Sequence, residues 1–576
     1  MKIVYFRIIL LVVLGLCVVD SIQTPAHAAQ FDEKEQILEI ARQDPRLQDI
    51  LADFEGLHMA PFWSERHNVW IIELMIEGRE AGFVSVSLEE HAVLEFNFEV
   101  GDEGFEDEGR ETDDEGFGFD EEGRGITSYW SVFHRFRPHI DGAALCWVTF
   151  TLTFIFLGDF KNIFSLRNLD IILLYSLCPF LNVIWQNLKI AYTGLFAVTF
   201  LFFLRCIAGA WMCGKPPSQR DAIFKRAALF VLILTILFHI QITYERPMDD
   251  SGLWSAIGAS YWQKSGNLPY GTEFGHMGVY GPLLYAAHIP ANLIFPPKVS
   301  FNKTTGSVEF DEYHQFDMRS AQSAVLVFDL LAILALYLFG KKYADTSTGL
   351  LLALVFALNP YVIGTGSGGL QWTSHIAAIP LVVFALVYIS RPLLAGLLLG
   401  VGCGMLFYPI FLFPLWLGFY IKSTGRKDAL KFIAGFALVG IVCLVMIMVL
   451  TEPGGEYTDL SPIKAFLSDT VIQQQFRKGY GTSDFSFWGQ YPDISKWAKA
   501  PAGILFLLFC LVVGFMPRRI DIKRLVVLTA AVLVATQFVQ SHGGGSYIGF
   551  YIAPFVITLF GLNGHTRQSE HQQPLS

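Results

Sequence analysis

Apolar and polar positions divide the chain into two unequal parts. From residue 142 onward apolar runs come in quick succession, near 142–158, 170–186, 190–211, 227–243, 320–340, 347–363, 374–390, 393–408, 410–421, 432–450, 501–516, 525–540 and 547–562. Each is near the length a helix needs to cross a bilayer, so the pattern predicts about thirteen transmembrane helices. The amino-terminal part is patterned differently. EKEQILEIARQDPRLQDILADF has helical period, and NVWIIELMIEG, EAGFVSVSLEE and HAVLEFNFE alternate as strands do. Residues 30–98 therefore read as a small α+β domain, a helix and then a three-strand meander. The expected fold class is a mainly α polytopic membrane protein carrying this small α+β domain.

The flanking segments have their own signatures. Lys2 and Arg7 precede an apolar run that ends at Ala26-His27-Ala28, so residues 1–29 read as a secretory signal and the small domain behind it as extracytoplasmic. Residues 99–125, with the echoed EGFEDEGR and EGFGFDEEGR, are too charged and glycine-rich to bury a core and read as a disordered acidic linker. Among the connections, FKNIFSLRN, GKPPSQRDAIFKR, KKYADTS, Arg391, KSTGRKDALK and PRRIDIKR hold nearly all the short-loop Lys and Arg. The positive-inside rule puts these in the cytoplasm, with the tail 564–576. It puts Asp249, Asp250, TGSGGLQWTSH, the loop 451–499 and SHGGGSY on the opposite face of a multi-pass cell membrane protein.

Composition agrees: 53% hydrophobic and 15% aromatic residues against 16% charged mark the chain as an integral membrane protein and argue against a nucleic-acid partner. The net charge of -11 is local, because the acidic linker alone accounts for it. Cys17, Cys146, Cys178, Cys206, Cys213, Cys403, Cys443 and Cys510 lie in or beside apolar runs with no CxxC, which favours packing over disulfide or zinc chemistry. Asp329 lies deep in an apolar run, where a carboxylate marks either a functional site or a buried partner on another helix.

Candidate chemistry concentrates between residues 244 and 317. Asp249 and Asp250 stand just past an apolar run. Behind them Leu253, Trp254, Ile257, Tyr261 and Trp262 recur at helical spacing, an amphipathic interfacial helix that Gly266 would end. A carboxylate fixed at the membrane surface can deprotonate an acceptor hydroxyl beside a lipid-borne leaving group. Asp250 is equally suited to cap the helix. Arg477, Lys478 and His542 could neutralise a phosphate, or be an ordinary solvated pair and a tight turn.

SLRNLDIILL, DSGLWSAIGASYWQKSGNLPYG, VYGPLLYAAHIP, FDLLAILALYLFG, RPLLAGLLLGVGCGMLFYPIFLFPLWL and QSHGGGSYIGFYIAPFV, in this order, resemble the C-type glycosyltransferases (GT-C). Within them they resemble the mannosyltransferase-like group with DUF2029, glycosyltransferase family 87. Residues 30–98 resemble a PepSY-like domain. The resemblance implies a GT-C-like domain over 227–563, with 126–226 as additional helices. It implies inverting transfer of a hexose, such as mannose, from a polyprenyl-phosphate donor to a lipid or glycan hydroxyl on the extracytoplasmic face. In such enzymes the base is an acid in the first large outer loop, which falls on Asp250 with Asp249 second. Arg477, Lys478 and His542 then become donor-phosphate contacts, and Tyr270, Tyr280, Gln371 and His375 substrate contacts. Relatives often carry an Asn-Asp pair where this chain has GGLQWTSH, so no acidic partner is carried over there. The lipid-linked donor replaces any cofactor, and a divalent metal is left open. The rival reading is a transporter or lipid flippase with an extracytoplasmic sensor, which would call for more intramembrane ionisable residues than Asp329 and His239.

The topology generates one test. Reporter fusions at Lys215, Lys341 and Arg519 are expected to read cytoplasmic, and fusions at Gly275 and Gly481 extracytoplasmic. A cytoplasmic Gly275 removes the transferase reading.

Overall fold

A computed structural model describes residues 41–42, 44, 47–48, 58–64, 69–76, 79–87, 92–98, 142–184, 187–209, 222–245, 250–272, 277–296, 300–301, 308–309, 319–364, 369–453, 460–472, 485–518 and 520–561. The expected signal, most of the helix expected at 33–54, the acidic linker and the carboxyl-terminal tail lie outside the described residues. So do Asp249, Arg477 and Lys478. The chain forms two compact units, one spanning Val13–His139 and the other Ile140–Ser576 with Met1–Val12.

The first unit contains an antiparallel sheet of order β1-β2-β3-β4: His58–Ser64, Val69–Ile76, Arg79–Ser87 and Ala92–Phe98. The meander therefore has four strands, not the three read from the alternation. The added strand, HMAPFWS, contains Pro61, which removes a ladder donor and argues against a strand in sequence. Among the described residues β1 is an edge strand paired only with β2, Pro61 opposite Ile72, so the missing donor costs no second ladder.

The second unit is helical. Among the described residues, five helices are long and apolar enough to cross a membrane: Leu188–Gly209, Ala222–Tyr244, Arg319–Tyr343, Arg426–Leu450 and Pro492–Phe515. The expectation of about thirteen spans is thus met in full length by five. Elsewhere the apolar runs form shorter or broken helices, such as Thr346–Ala357 and Ile379–Val387. A twelve-residue helix rises only ~18 Å. The breaks have local causes. After Ala357 the chain restarts at Pro360 with Asn359 as its cap, Asn359 Oδ1 accepting from Tyr361 N–H at 3.0 Å. Pro380 similarly opens Ile379–Val387 after a turn.

Glycines bring helices together. A Cβ on Gly396 would lie 2.2 Å from the Phe432 carbonyl oxygen, and one on Gly435 the same distance from that of Leu393. The helices Pro392–Met405 and Arg426–Leu450 thus touch backbone to backbone. In lipid, where burial of apolar surface supplies little drive, such close approach is a main source of helix association. Gly418 and Gly514 repeat the device between Phe413–Phe419 and Pro492–Phe515, with 2.0 Å from the Gly418 Cβ position to the Gly514 oxygen.

Two buried ion pairs tie further helices. Asp170 takes a forked hydrogen bond from Arg205, Nε to Oδ1 at 2.6 Å and an η nitrogen to Oδ2 at 2.8 Å. Asp329 has a buried partner: its Oδ2 lies 2.7 Å from Nδ1 of His239, whose Nε2 lies 2.9 Å from the Ala357 carbonyl. A carbonyl can only accept, so Nε2 carries a proton, and the short Nδ1 to Oδ2 contact needs a second. Whichever partner holds that second proton, the pair is net neutral, the form in which such groups tolerate burial.

The glycine contact predicts that Gly435→Val lowers the stability of the detergent-solubilised protein, by about 1–3 kcal/mol for overpacking. Gly440, on the same helix, has nothing within 4 Å of a Cβ, so Gly440→Ala is expected to be neutral or stabilising. Thermal unfolding of the two variants checks the contrast, and equal midpoints contradict it.

Candidate functional site

The segment between the long helices Ala222–Glu245 and Arg319–Tyr343 opens with the helix Asp250–Ser265. Asp250 is its first residue. Gly266, at φ +80°, ends it, donating its N–H to the Trp262 carbonyl at 2.8 Å. The sequence suggested a helix with one apolar face in the interface. The structure differs. Leu253, Ser255, Ala256, Ile257, Gly258, Ala259 and Ser260 are all buried, while Trp254, Tyr261 and Trp262 are partly exposed. The small residues allow this, because a Cβ on Gly258 would meet the Tyr285 ring at 2.6 Å.

The partner is the helix Pro282–Ile294. Between them Ser255 Oγ and His288 Nε2 lie 2.9 Å apart. Asn292 donates to the Ala256 carbonyl and to Gln263 Oε1, each at 3.2 Å, and accepts a short hydrogen bond from Ser320. Burial pushes the His288 imidazole down to about 3, so it is neutral here. These bonds make a platform of the segment and fasten it to Arg319–Tyr343.

The connecting loop is equally held. Leu268 N–H bonds the Leu450 carbonyl. The Tyr270 hydroxyl donates to the Tyr280 carbonyl at 2.7 Å, and the Gly271 N–H to Asp469 Oδ2 at 2.7 Å. The Tyr270 ring stands edge-on to Phe466, centroids 5.0 Å apart. Gly281 N–H donates to the Met405 carbonyl at 3.0 Å. The structure therefore joins Tyr270 and Tyr280, two residues proposed from sequence as substrate contacts.

His375 and His542 belong to a neighbouring aromatic cluster. His375 is buried, its Nδ1 2.9 Å from the Tyr361 hydroxyl and its ring 4.1 Å from Trp372 and 4.5 Å from Tyr547. His542 is exposed, its ring 6.3 Å from that of Tyr547. Tyr408 stacks on Phe550 at 3.8 Å. Tyr280 is within electrostatic reach of Tyr547, which links the two clusters. Gln371 lies in the short helical turn Gly369–Gln371 that leads into the His375 segment. In SHGGGSY, Gly543 N–H donates to the Phe485 carbonyl at 2.6 Å and Gly545 N–H to Gln537 Oε1 at 3.2 Å. Both amides are thus bonded to neighbouring segments of the protein.

Asp469 was missed in the sequence. It is fully buried against the platform loop, its Oδ2 on Gly271. Burial pushes its carboxyl up to about 6, opposed by the Gly271 hydrogen bond. One signal was available: a lone acid inside the apolar stretch PIKAFLSDTVI. Among the described residues, no group of three His, Cys, Asp or Glu could hold a metal.

Platform, buried ion pairs and long apolar helices define a polytopic, mainly helical membrane protein with a structured segment between spans. Within it, residues 304–476, under a third of the chain, match the family model of the GPI transamidase subunit PIG-U. No curated protein matches. The Archaeoglobus fulgidus oligosaccharyltransferase in its apo form is similar at 13% identity and a TM-score of 0.33, covering 58% of this chain and 50% of that one. Its complex with zinc and sulfate gives 15%, 0.32, 58% and 48%. The archaeal oligosaccharyltransferase AglB from the same organism, with an inhibitory peptide and a dolichol-phosphate, gives 13%, 0.32, 60% and 50%. The chain spans about half the length of these structures. Likeness at this level fixes neither fold nor function.

The geometry makes one prediction. Tyr270→Phe removes the hydroxyl that bonds the Tyr280 carbonyl while keeping the ring against Phe466. It is expected to cost about 0.5–1.5 kcal/mol of stability and to raise hydrogen exchange across 268–281. Unchanged exchange there contradicts the loop architecture.

Proposed function

We propose that this protein is a membrane glycosyltransferase that moves a hexose, mannose or a close relative, from a polyprenyl-phosphate carrier to an acceptor hydroxyl on the extracytoplasmic face. The observation that carries this reading is the platform itself. A segment directly behind a long apolar helix is folded, buried and bonded to the membrane helices, and Asp250 is its first helical residue. A mere connection between spans needs no such construction. The resemblance to GT-C enzymes of family 87 supports the same reaction.

In this mechanism Asp250 accepts the proton of the acceptor hydroxyl. The acceptor oxygen bonds to the anomeric carbon as the bond to the phosphate oxygen breaks, and configuration inverts. Polyprenyl phosphate leaves as an anion and needs little acid assistance. Arg477, Lys478 and His542 balance its charge, a large term where water is excluded. Asp249 supports Asp250, while Tyr270, Tyr280, Gln371 and His375 line the sugar and acceptor side. The amino-terminal strands form a PepSY-like module with a regulatory role.

A second reading has its own support. The match to the GPI transamidase subunit PIG-U over 304–476 favours a subunit of a larger membrane assembly that acts on a lipid-borne glycan. On that reading the platform binds the lipid-linked glycan and Asp250 only begins its helix.

Asp250→Asn separates the two. Asn is nearly isosteric with Asp and fits the first helical position, but takes no proton. Transfer from polyprenyl-phosphate mannose in membranes is expected to fall by about 10²-fold or more, with thermal stability near wild type and a smaller loss for Asp249→Asn. Full activity in both variants would falsify the mechanism.

A further inference from the structure

Asp469 lies in a π-helical turn, Ser468–Ile472, immediately after the helix Pro462–Leu467. Such turns insert a residue, re-aim side chains and recur at functional sites. Here the carboxylate enters a cradle made by the platform loop. A Cβ on Gly278 would lie 2.7 Å from Oδ2, and one on Gly271 would lie 2.9 Å from the Ala465 Cβ. Oδ2 accepts the Gly271 N–H at 2.7 Å, whereas Oδ1, equally buried, has no hydrogen-bond partner among the described residues. The neighbouring Tyr270 hydroxyl does not supply one, since it donates to the Tyr280 carbonyl. An acceptor buried with an open lone pair is costly unless something completes it.

We propose that Asp469 is a second substrate-handling carboxylate of this site, held through Oδ2 by Gly271 and accepting through Oδ1 a hydrogen bond from a hydroxyl of a sugar. The ligand class rests on the proposed transferase function, whereas the unpartnered oxygen does not depend on it. Beside the cradle Phe466, partly exposed and edge-on to the Tyr270 ring, offers the apolar face on which the C–H side of a sugar packs.

The assignment has a ligand-free signature. Among the described residues, the titratable groups within electrostatic reach of Asp469 are Tyr270 and Tyr285, whose hydroxyls burial pushes up, so both stay neutral. Lys464, on the preceding helix, is exposed. The turn Met277–Val279 holds no ionisable residue. With its folded value near 6 above an unfolded value of about 3.9, the folded state binds more protons between them. Asp469 therefore takes stability away as pH rises through that window, and the loss is complete above it.

The test uses the full chain in nanodiscs, wild type and Asp469→Asn. Thermal midpoints are read from pH 4.5 to 7.5, alone, with polyprenyl-phosphate mannose, and with sugar-free polyprenyl phosphate. Without lipid, wild type is expected to lose stability relative to the variant between about pH 4 and 6. At pH 7.5 the glycolipid is expected to raise the wild-type midpoint more than the sugar-free lipid does. The variant is expected to treat the two lipids alike and bind the glycolipid about tenfold more weakly, as loss of one charged hydrogen bond implies. Parallel pH curves, or a sugar-dependent increment that survives in the variant, overturn the assignment while leaving the transferase reading intact. Divergent pH curves with no sugar increment in wild type overturn the sugar as ligand and that reading with it.

Discussion

The site depends on a contact between two backbones. A Cβ on Gly281 would lie 2.1 Å from the Gly404 carbonyl oxygen, and the Gly281 N–H bonds the Met405 carbonyl at 3.0 Å. Any side chain at Gly281 would lift the platform loop from the end of the helix Pro392–Met405. That approach in turn needs Gly404, whose own Cβ position falls 2.6 Å from Leu283 and 2.8 Å from the Cys443 sulfur. Tyr280 and Tyr285 flank the contact, so the glycine pair determines where the tyrosines stand and where Gly271 and Gly278 meet Asp469. Local backbone geometry, membrane-helix packing and the candidate chemistry are joined at this one point.

The polar groups obey a related logic. His239, Asp329, Asp170 and Arg205 are buried among apolar helices, and each is paired across a helix boundary. Breaking such a pair leaves a buried charge, which costs more than the pair contributes. These pairs therefore specify which helices are neighbours more than they add stability. Near the platform, His288 and Asn292 do the same with neutral hydrogen bonds. Asp469 departs from the rule, since among the described residues its carboxylate meets one backbone amide and neither a guanidinium nor an imidazole.

Sequence and structure agree where a pattern has one physical cause. Apolar runs located the helices because no other element satisfies its backbone in lipid. Strand alternation located β2, β3 and β4, while Pro61 hid β1, since an edge position cannot be seen in a linear pattern. Among the described residues only some of the expected spans are single long helices, because hydropathy registers an apolar run whether or not Asn359-Pro360 or Pro380 breaks its helix. Asp329 was legible as a choice between partner and function, and only the fold supplied His239. Asp250 was legible at the head of its helix. Asp469 was not, because its meaning comes from Gly271 and Gly278, nearly two hundred residues away.

The central claim is that the segment 250–285, with the turn at Asp469, handles a lipid-linked sugar. A polyprenyl-phosphate sugar bearing a photoreactive diazirine on its sugar, cross-linked to the protein in vesicles and mapped by mass spectrometry, tests it directly. The account predicts labelling within 250–285 and 462–472, competed by unmodified glycolipid and not by sugar-free polyprenyl phosphate. Labelling confined to the loops around Lys341, Lys422 or Arg518, or labelling that sugar-free lipid abolishes equally, would contradict it.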